Sequence, residues 1–247
     1  MVSQLTAADH TGQTDETYAF NANGSRTGSG YTVGTNNLTS SDGTYNYAYD
    51  NEGNRTTKTK ISDSTYTTYT WDYRNRLTAV KDYSSASVLL KETTYAYDTH
   101  SRLIKSTYDA DGAGSGAATS RYWAFDEGIN PLLEFKGGSA SDVSHRYLWG
   151  PAVDQFFADE QPTSTGSAGN VLWALGDNLG TIRDIADLSG STTSVTNHRR
   201  FGTYGNLVSE SNSASTWYSG SQVSCTTRIP SCRMICSAGT MQRSGSG

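Results

Sequence analysis

The sequence predicts an all-β chain, and three observations predict it. Tyr supplies 16 residues and Thr is abundant, and both side chains suit a pleated, half-covered surface. Gly supplies 25 residues, with Ser and Asn also plentiful, which is the chemistry of turns. Short aromatic-x-aromatic stretches recur, each followed by an acid or amide and a few small polar residues. At 247 residues the chain has the length for a sizeable core, although only 34% of it is hydrophobic.

Taken in order, the recurring units are "YAFNANGSR" (Tyr18 to Arg26), "YAYDNEGNR" (Tyr47 to Arg55), "YTWDYRNRL" (Tyr69 to Leu77), "YAYDTHSRL" (Tyr95 to Leu103) and, without its Arg, "YWAFDEG" (Tyr122 to Gly128). Their second aromatics, Phe20, Tyr49, Trp71, Tyr97 and Phe125, lie 29, 22, 26 and 28 residues apart, so the units are fixed and the spacers are loops. Each unit reads as a β-hairpin. Aromatics at i and i+2 share one face of a strand, and Asp50, Asp72 or Asp98 next in line accepts hydrogen bonds from the turn backbone. Gly24 and Gly53 supply a positive φ, for which Asn75 is the next best residue. Arg26, Arg55, Arg76 and Arg102 begin the return strands and are placed to reach the acid of their own unit, as Arg55 to Asp50 or Arg102 to Asp98. Such a pair is worth at most ~1 kcal/mol when exposed, so turn chemistry sets the register. A lone hairpin is marginal in water, and these units are expected to lay their aromatic faces against one another in a common sheet.

These units resemble the YD repeats of the RHS family, found in bacterial polymorphic toxins, wall-associated proteins and insecticidal toxin complexes. The resemblance covers about residues 18 to 210. "RYLWGPAVDQFFADE" (Arg146 to Glu160) resembles the Tyr-x-x-Gly-Pro-x-x-Asp stretch before the RHS core, and "LGDNLGTIRDIADLSG" (Leu175 to Gly190) and "RRFGTYGNLVSES" (Arg199 to Ser211) resemble stretches of the core itself. The resemblance implies a coiled antiparallel sheet of stacked hairpins forming part of a hollow shell. The shell often encloses a toxic C-terminal segment and is plugged at one end by the core. By analogy Trp149, Gly150, Pro151, Asp177, Leu179, Gly180 and Arg183 belong to that plug rather than to an active site. Five hairpins are few for a closed cage, so the chain is expected to be a shell fragment. Its organisation is expected as a hairpin array over 1–110, a Gly/Ala/Ser linker over 111–120, a last repeat and incomplete core over 121–210, and an atypical tail over 211–247. The implied partners are the remainder of such a shell and its C-terminal effector, and the parent protein is expected to be secreted or displayed at the cell surface.

Several functions are disfavoured. A net charge of −5 without a Lys/Arg cluster argues against nucleic acid, no stretch has the apolar length of a membrane span, and "MVSQLTAADHTGQTDE" has no export signal. No Gly-x-Ser-x-Gly elbow, P-loop or dinucleotide fingerprint occurs, and the Asp-Pro-x-Gly segment of self-cleaving family members is missing, so no catalytic residue, metal or cofactor is expected. His10, His100, His145 and His198 have no ligand spacing and are expected to be inert, with exposed loop histidine the better reading. Asp159 and Glu160 point to opposite faces of a strand and are expected to be an ordinary solvated pair rather than glycosidase carboxylates. Asp109 to Gly112 opens like a calcium loop but lacks the closing acids. The alternative to a structural role is a carbohydrate-binding or adhesin-type module that stacks a cell-surface glycan on the sheet aromatics. Packing explains most of those aromatics, because 12 of the 16 tyrosines lie between Tyr18 and Tyr108, many at repeat positions.

Residues 211 to 247 contain no Asp, Glu or Lys, yet hold Cys225, Cys232, Cys236 and two of the three methionines. One permitted codon set for Cys225 to Gly247, read from its third base, encodes "HDADTELQNDLQRWNDAAVGKW". That string restores an acid, Thr, Leu, Arg-Trp and Gly-Lys-Trp near the spacing with which the family continues. The tail is therefore expected to be out of frame and disordered, its cysteines without a role, and the nucleotide sequence decides the point.

Overall fold

The computed structural model describes residues 4–28, 30–152, 155–178, 180–189, 191–203 and 207–213. The expectations for Leu179, for Gly205 of the Phe-Gly-x-x-Gly stretch and for the tail from residue 214 on, its three cysteines included, lie outside these residues. Among the described residues the chain is all β apart from two single-turn 3-10 segments, Thr35–Asn37 and Ala140–Asp142. No helix is long and apolar enough to cross a membrane.

Sixteen strands, from Tyr31–Val33 to Leu207–Glu210, follow one another in sequence order in one antiparallel sheet that does not return on itself. Two compact units divide the described residues, one holding those up to Thr93 with Ala110–Gly116, the other Thr94–Asp109 and those from Ala117 to Ser213.

The first unit holds the two-residue pairs β1 (Ala7–Ala8) with β2 (Glu16–Thr17) and β3 (Ala19–Phe20) with β4 (Arg26–Thr27). It continues as β5 (Tyr31–Val33), β6 (Thr39–Asp42), β7 (Tyr45–Tyr49), β8 (Arg55–Lys60), β9 (Tyr66–Trp71) and β10 (Leu77–Tyr83). Between β5 and β6 the approach is close: a Cβ on Gly30, at φ +84°, would stand 2.5 Å from the Gly43 Cα, so both turns there need glycine. Leu77 is fully buried, worth ~1.5–3 kcal/mol of apolar burial, and Tyr69 is buried on β9.

The unit boundary falls inside β11 (Leu89–Tyr97). The second unit continues as β12 (Leu103–Asp109), β13 (Thr119–Phe125), β14 (Pro131–Phe135), β15 (Val143–Trp149), β16 (Phe156–Gln161), β17 (Asn170–Gly176), β18 (Ile182–Ser189), β19 (Thr192–Phe201) and β20 (Leu207–Glu210). Trp123, Tyr147, Phe156, Leu172 and Ile185 are among its buried apolar residues, and strand alternation sets these five on the covered face.

Candidate functional site

The residues singled out in the sequence converge on one local structure, a hairpin turn built the same way at five of their sites and also at Ser84–Val88, outside the repeat units, where the Val88 amide donates to Ser84 Oγ at 3.1 Å. Counting Asn21, Asp50, Asp72, Asp98 or Asp177 as position 0, the amide of position 0 donates to the carbonyl of position +4 at 2.9, 2.9, 2.9, 3.0 and 2.9 Å. The amide of position +3 donates back to the carbonyl of position 0 at 3.0, 3.2, 2.9, 3.1 and 3.0 Å. Position +3 is left-handed throughout: Gly24 (80°), Gly53 (83°), Asn75 (56°), Ser101 (66°) and Gly180 (79°). This is a type I turn followed by a left-handed residue. The side chain at position 0 locks it, since its Oδ1 accepts from the +4 amide at 2.9, 2.7, 3.0, 2.8 and 3.0 Å. A β-bulge follows in β8, β10 and β18, where position −1 faces +5 but −2 faces +7.

Register separates the arginines into two kinds. In "YTWDYRNRL" and "YAYDTHSRL" the Arg is at +4, and Arg76 Nε and Arg102 Nε donate to Asp72 Oδ2 at 2.8 Å and Asp98 Oδ2 at 2.7 Å. The next residue, Leu77 or Leu103, is buried. In the first two units the Arg comes one residue later, at +5. Arg26 faces Phe20 and Arg55 faces Tyr49, the register place that Leu77 takes opposite Trp71. On that face Arg55 lies 4.2 Å over the Tyr47 ring and Arg26 4.6 Å over Tyr18. In that unit Asn54 meets Asp50, its Nδ2 donating to Oδ2 at 3.1 Å.

For Asp72 and Asp98, desolvation is the largest single influence and pushes the carboxyl up. Backbone and side-chain hydrogen bonds from Arg76 and Arg102 outweigh it and hold both below the usual carboxylate range. Asp177, Gly180 and Arg183, grouped with the core in the sequence, fold as the fifth of these turns, with Arg183 Nε donating to Asp177 Oδ2 at 2.9 Å from the bulge position.

In two units the second aromatic, Tyr49 or Trp71, joins its hairpin to the one before, and Trp149 of the core-like stretch does the same. Trp71 Nε1 donates to the Arg55 carbonyl at 2.9 Å, and Trp149 Nε1 to the Pro131 carbonyl at 2.7 Å. Tyr49 reaches the Thr39 carbonyl at 2.8 Å. Turns also touch turns: Asn54 Nδ2 donates to Asn75 Oδ1 at 3.0 Å, and Arg102 Nη1 to the carbonyls of Asp126 and Gly128 at 2.8 and 2.9 Å. Tyr95 is buried, Tyr97 is half-buried, and Gly150 donates its amide to the Gln155 carbonyl at 2.6 Å in the turn after β15, where Pro151 is exposed.

Sequence reasoning missed a row of buried polar groups on the covered face of the second unit. Glu134 is 0% exposed and accepts from Arg121, from Trp123 Nε1 at 3.2 Å and from the Tyr147 hydroxyl at 2.8 Å. Asp159, also 0% exposed, is bonded to His145 Nδ1 at 2.8 Å and accepts from Gln161 Nε2 at 3.1 Å. Asp159 is thus not a solvated partner of Glu160. Alternation puts Asp159 opposite Tyr147 on the covered face, while Glu160 turns the other way to Arg146 at 3.0 Å. Nor is His145 an exposed loop residue, since it is buried on β15, whereas His100 stands exposed at a turn. Only the alternation of "VSHRYLW" carried this signal, with His145 two places from Tyr147. The buried carboxylates are matched by donors, and no group of three His, Cys, Asp or Glu among the described residues is placed to hold a metal.

No family model matches the chain, and no curated protein matches it. Among solved structures the chain is similar to the crystal structure of TcdB2-TccC3-TEV, at 11% identity and a TM-score of 0.34 over 78% of this chain and 12% of that one. It is likewise similar to TcdB2-TccC3-Cdc42, at 12% identity and 0.34 over 78% and 12%, and to TcdB2-TccC3, at 10% identity and 0.32 over 75% and 13%. The chain thus spans about an eighth of the length of these structures.

Proposed function

We propose that the chain is a non-enzymatic structural module, a run of stacked hairpins forming part of an RHS/YD-repeat shell that encloses or displays a C-terminal effector. The observation that supports this reading is the use to which the repeated residues are put. The acid locks a turn, the left-handed residue closes it, in two units the second aromatic joins the hairpin to its predecessor, and Arg either pairs with the acid or covers a ring. A hairpin so built is completed by the next one, as a wall requires. The order of the motifs along the sequence, repeats first and core-like stretches after, agrees with it.

The test is limited proteolysis of the longer protein, intact and with the Tyr45–Lys60 hairpin removed in frame. A segment C-terminal to the core that resists protease only while the hairpin is present supports the reading, and equal digestion of both forms overturns it. Incubating the chain and measuring its mass tests the non-enzymatic part, because self-cleavage would contradict it. A second reading, a cell-surface carbohydrate-binding module, is favoured by one observation: Trp173 on β17 is 42% exposed on an uncovered face. A glycan array with wild type and Trp173→Ala separates the two.

A further inference from the structure

Two buried acids of the second unit are satisfied in different ways. Glu134 meets three donors, Arg121 among them, whereas Asp159 meets no cationic side chain of Lys or Arg and is held by His145 and Gln161. His145 Nδ1 lies 2.8 and 2.9 Å from the two Asp159 oxygens, and the imidazole is stacked on the Tyr147 ring at 5.8 Å. The residue is only 7% exposed, yet its other ring nitrogen, Nε2, bonds to no described residue. A polar atom left without a partner in a buried side chain is costly. His145 also lines an open cleft beside the turn between β14 and β15, together with Lys136, Asp142, Gln161 and Thr163.

The groups of this cleft select the chemistry that fits it. Carboxylate oxygens only accept, so the proton of the neutral imidazole sits on Nδ1 and Nε2 offers a lone pair. A ligand has to donate there. Lys136 is exposed, and among the described residues its ammonium is in no ion pair, so it offers donors to an acceptor. Asp142 caps the turn, its Oδ2 accepting the Ser139 amide at 3.0 Å, and keeps a negative charge at the wall. An anionic ligand would meet the Nε2 lone pair and the Asp142 charge, and a cationic one would meet Lys136. A neutral hydroxyl both donates and accepts, and two on adjacent carbons give to Nε2 and take from Lys136 at once.

We propose that this cleft is a saccharide subsite that takes a neutral sugar through two neighbouring hydroxyls, one donating to His145 Nε2 and the other accepting from Lys136. This rests on the carbohydrate-binding reading and places its site away from Trp173. Asp159 is a positioning residue, because the bond to Nδ1 fixes both the tautomer and the direction of Nε2.

The experiment is a glycan array bearing neutral and acidic glycans, read with full-chain wild type, Lys136→Ala, His145→Gln and Trp173→Ala, each checked for fold by circular dichroism. Wild type is expected to bind neutral glycans. Lys136→Ala, at an exposed position, and His145→Gln are expected to bind them at least ~10-fold more weakly. A bound neutral glycan is also expected to shield His145 of wild type from acylation by diethyl pyrocarbonate, read in the mass of the labelled peptide. Binding confined to acidic glycans overturns the proposal. So does neutral-glycan binding that Lys136→Ala leaves unchanged or that gives His145 no shielding; if Trp173→Ala abolishes that binding, the carbohydrate reading stands with its site elsewhere. A wild type that binds no glycan overturns both.

Discussion

At position 0 of the repeat turn a single side chain does two jobs. Oδ1 of Asp98 takes the Arg102 and His100 amides at 2.8 and 2.9 Å, while Oδ2 takes the Arg102 guanidinium. The folded pKa lies below the usual value, so the unfolded chain binds the proton first. The stability this gives is fully present above the unfolded pKa of about 4 and is lost as pH falls through the folded value. Asp98→Asn keeps an acceptor oxygen and loses the charge. It is expected to melt below wild type between pH 5 and 8, with the gap closing below about pH 4; a gap that stays constant down to pH 3 contradicts the assignment. Glu134 is a sterner case, because three donors converge on a carboxylate without solvent. Glu134→Ala should cost ~3 kcal/mol or more in chemical denaturation, and Glu134→Gln about half of that. A loss under ~1 kcal/mol for the alanine variant would mean that water replaces the carboxylate there.

Hairpins are the elements, and what joins them was legible in the sequence only in part. Aromatic, acid and glycine at fixed offsets located the turns, because turn chemistry is local and written in a few residues. The two kinds of arginine were not separated, since they differ by one place in sequence: Arg55 at +5 belongs to the ring-bearing face, and Arg76 at +4 belongs to the turn. Ser101 carries the left-handed φ without announcing it, and Asp177 was set apart by its neighbours although its turn is the same. The buried row of Glu134, His145 and Asp159 was missed because burial of an acid depends on donors arriving from other strands, which the sequence around the acid does not state. At this scale the indole N–H is the test. Trp71→Phe and Trp149→Phe keep a ring and remove the donor to the preceding hairpin, and each is expected to cost about 1 kcal/mol by urea denaturation. Unchanged stability in both would show that the rings pack without the bond.

Across the whole molecule the central claim is that one hairpin design serves both the repeats and the core-like stretch, so that turn residues far apart in sequence have one physical role. Gly53 and Gly180 are the matched pair. Each has a left-handed φ, 83° and 79°, and a Cβ added at either meets nothing within 4 Å, so a substitution there reports backbone strain alone. Gly138 is the control, with the same empty surroundings and no left-handed φ. The measurement is the melting of Gly53→Val, Gly180→Val and Gly138→Val beside wild type, each read in the transition of the unit that holds it. The account predicts a loss of ~1–2 kcal/mol for the first two, alike in size, and almost none for the third. A Gly180→Val variant as harmless as Gly138→Val, with Gly53→Val destabilised, would contradict it, because the core-like stretch would then not depend on the turn that holds the repeats.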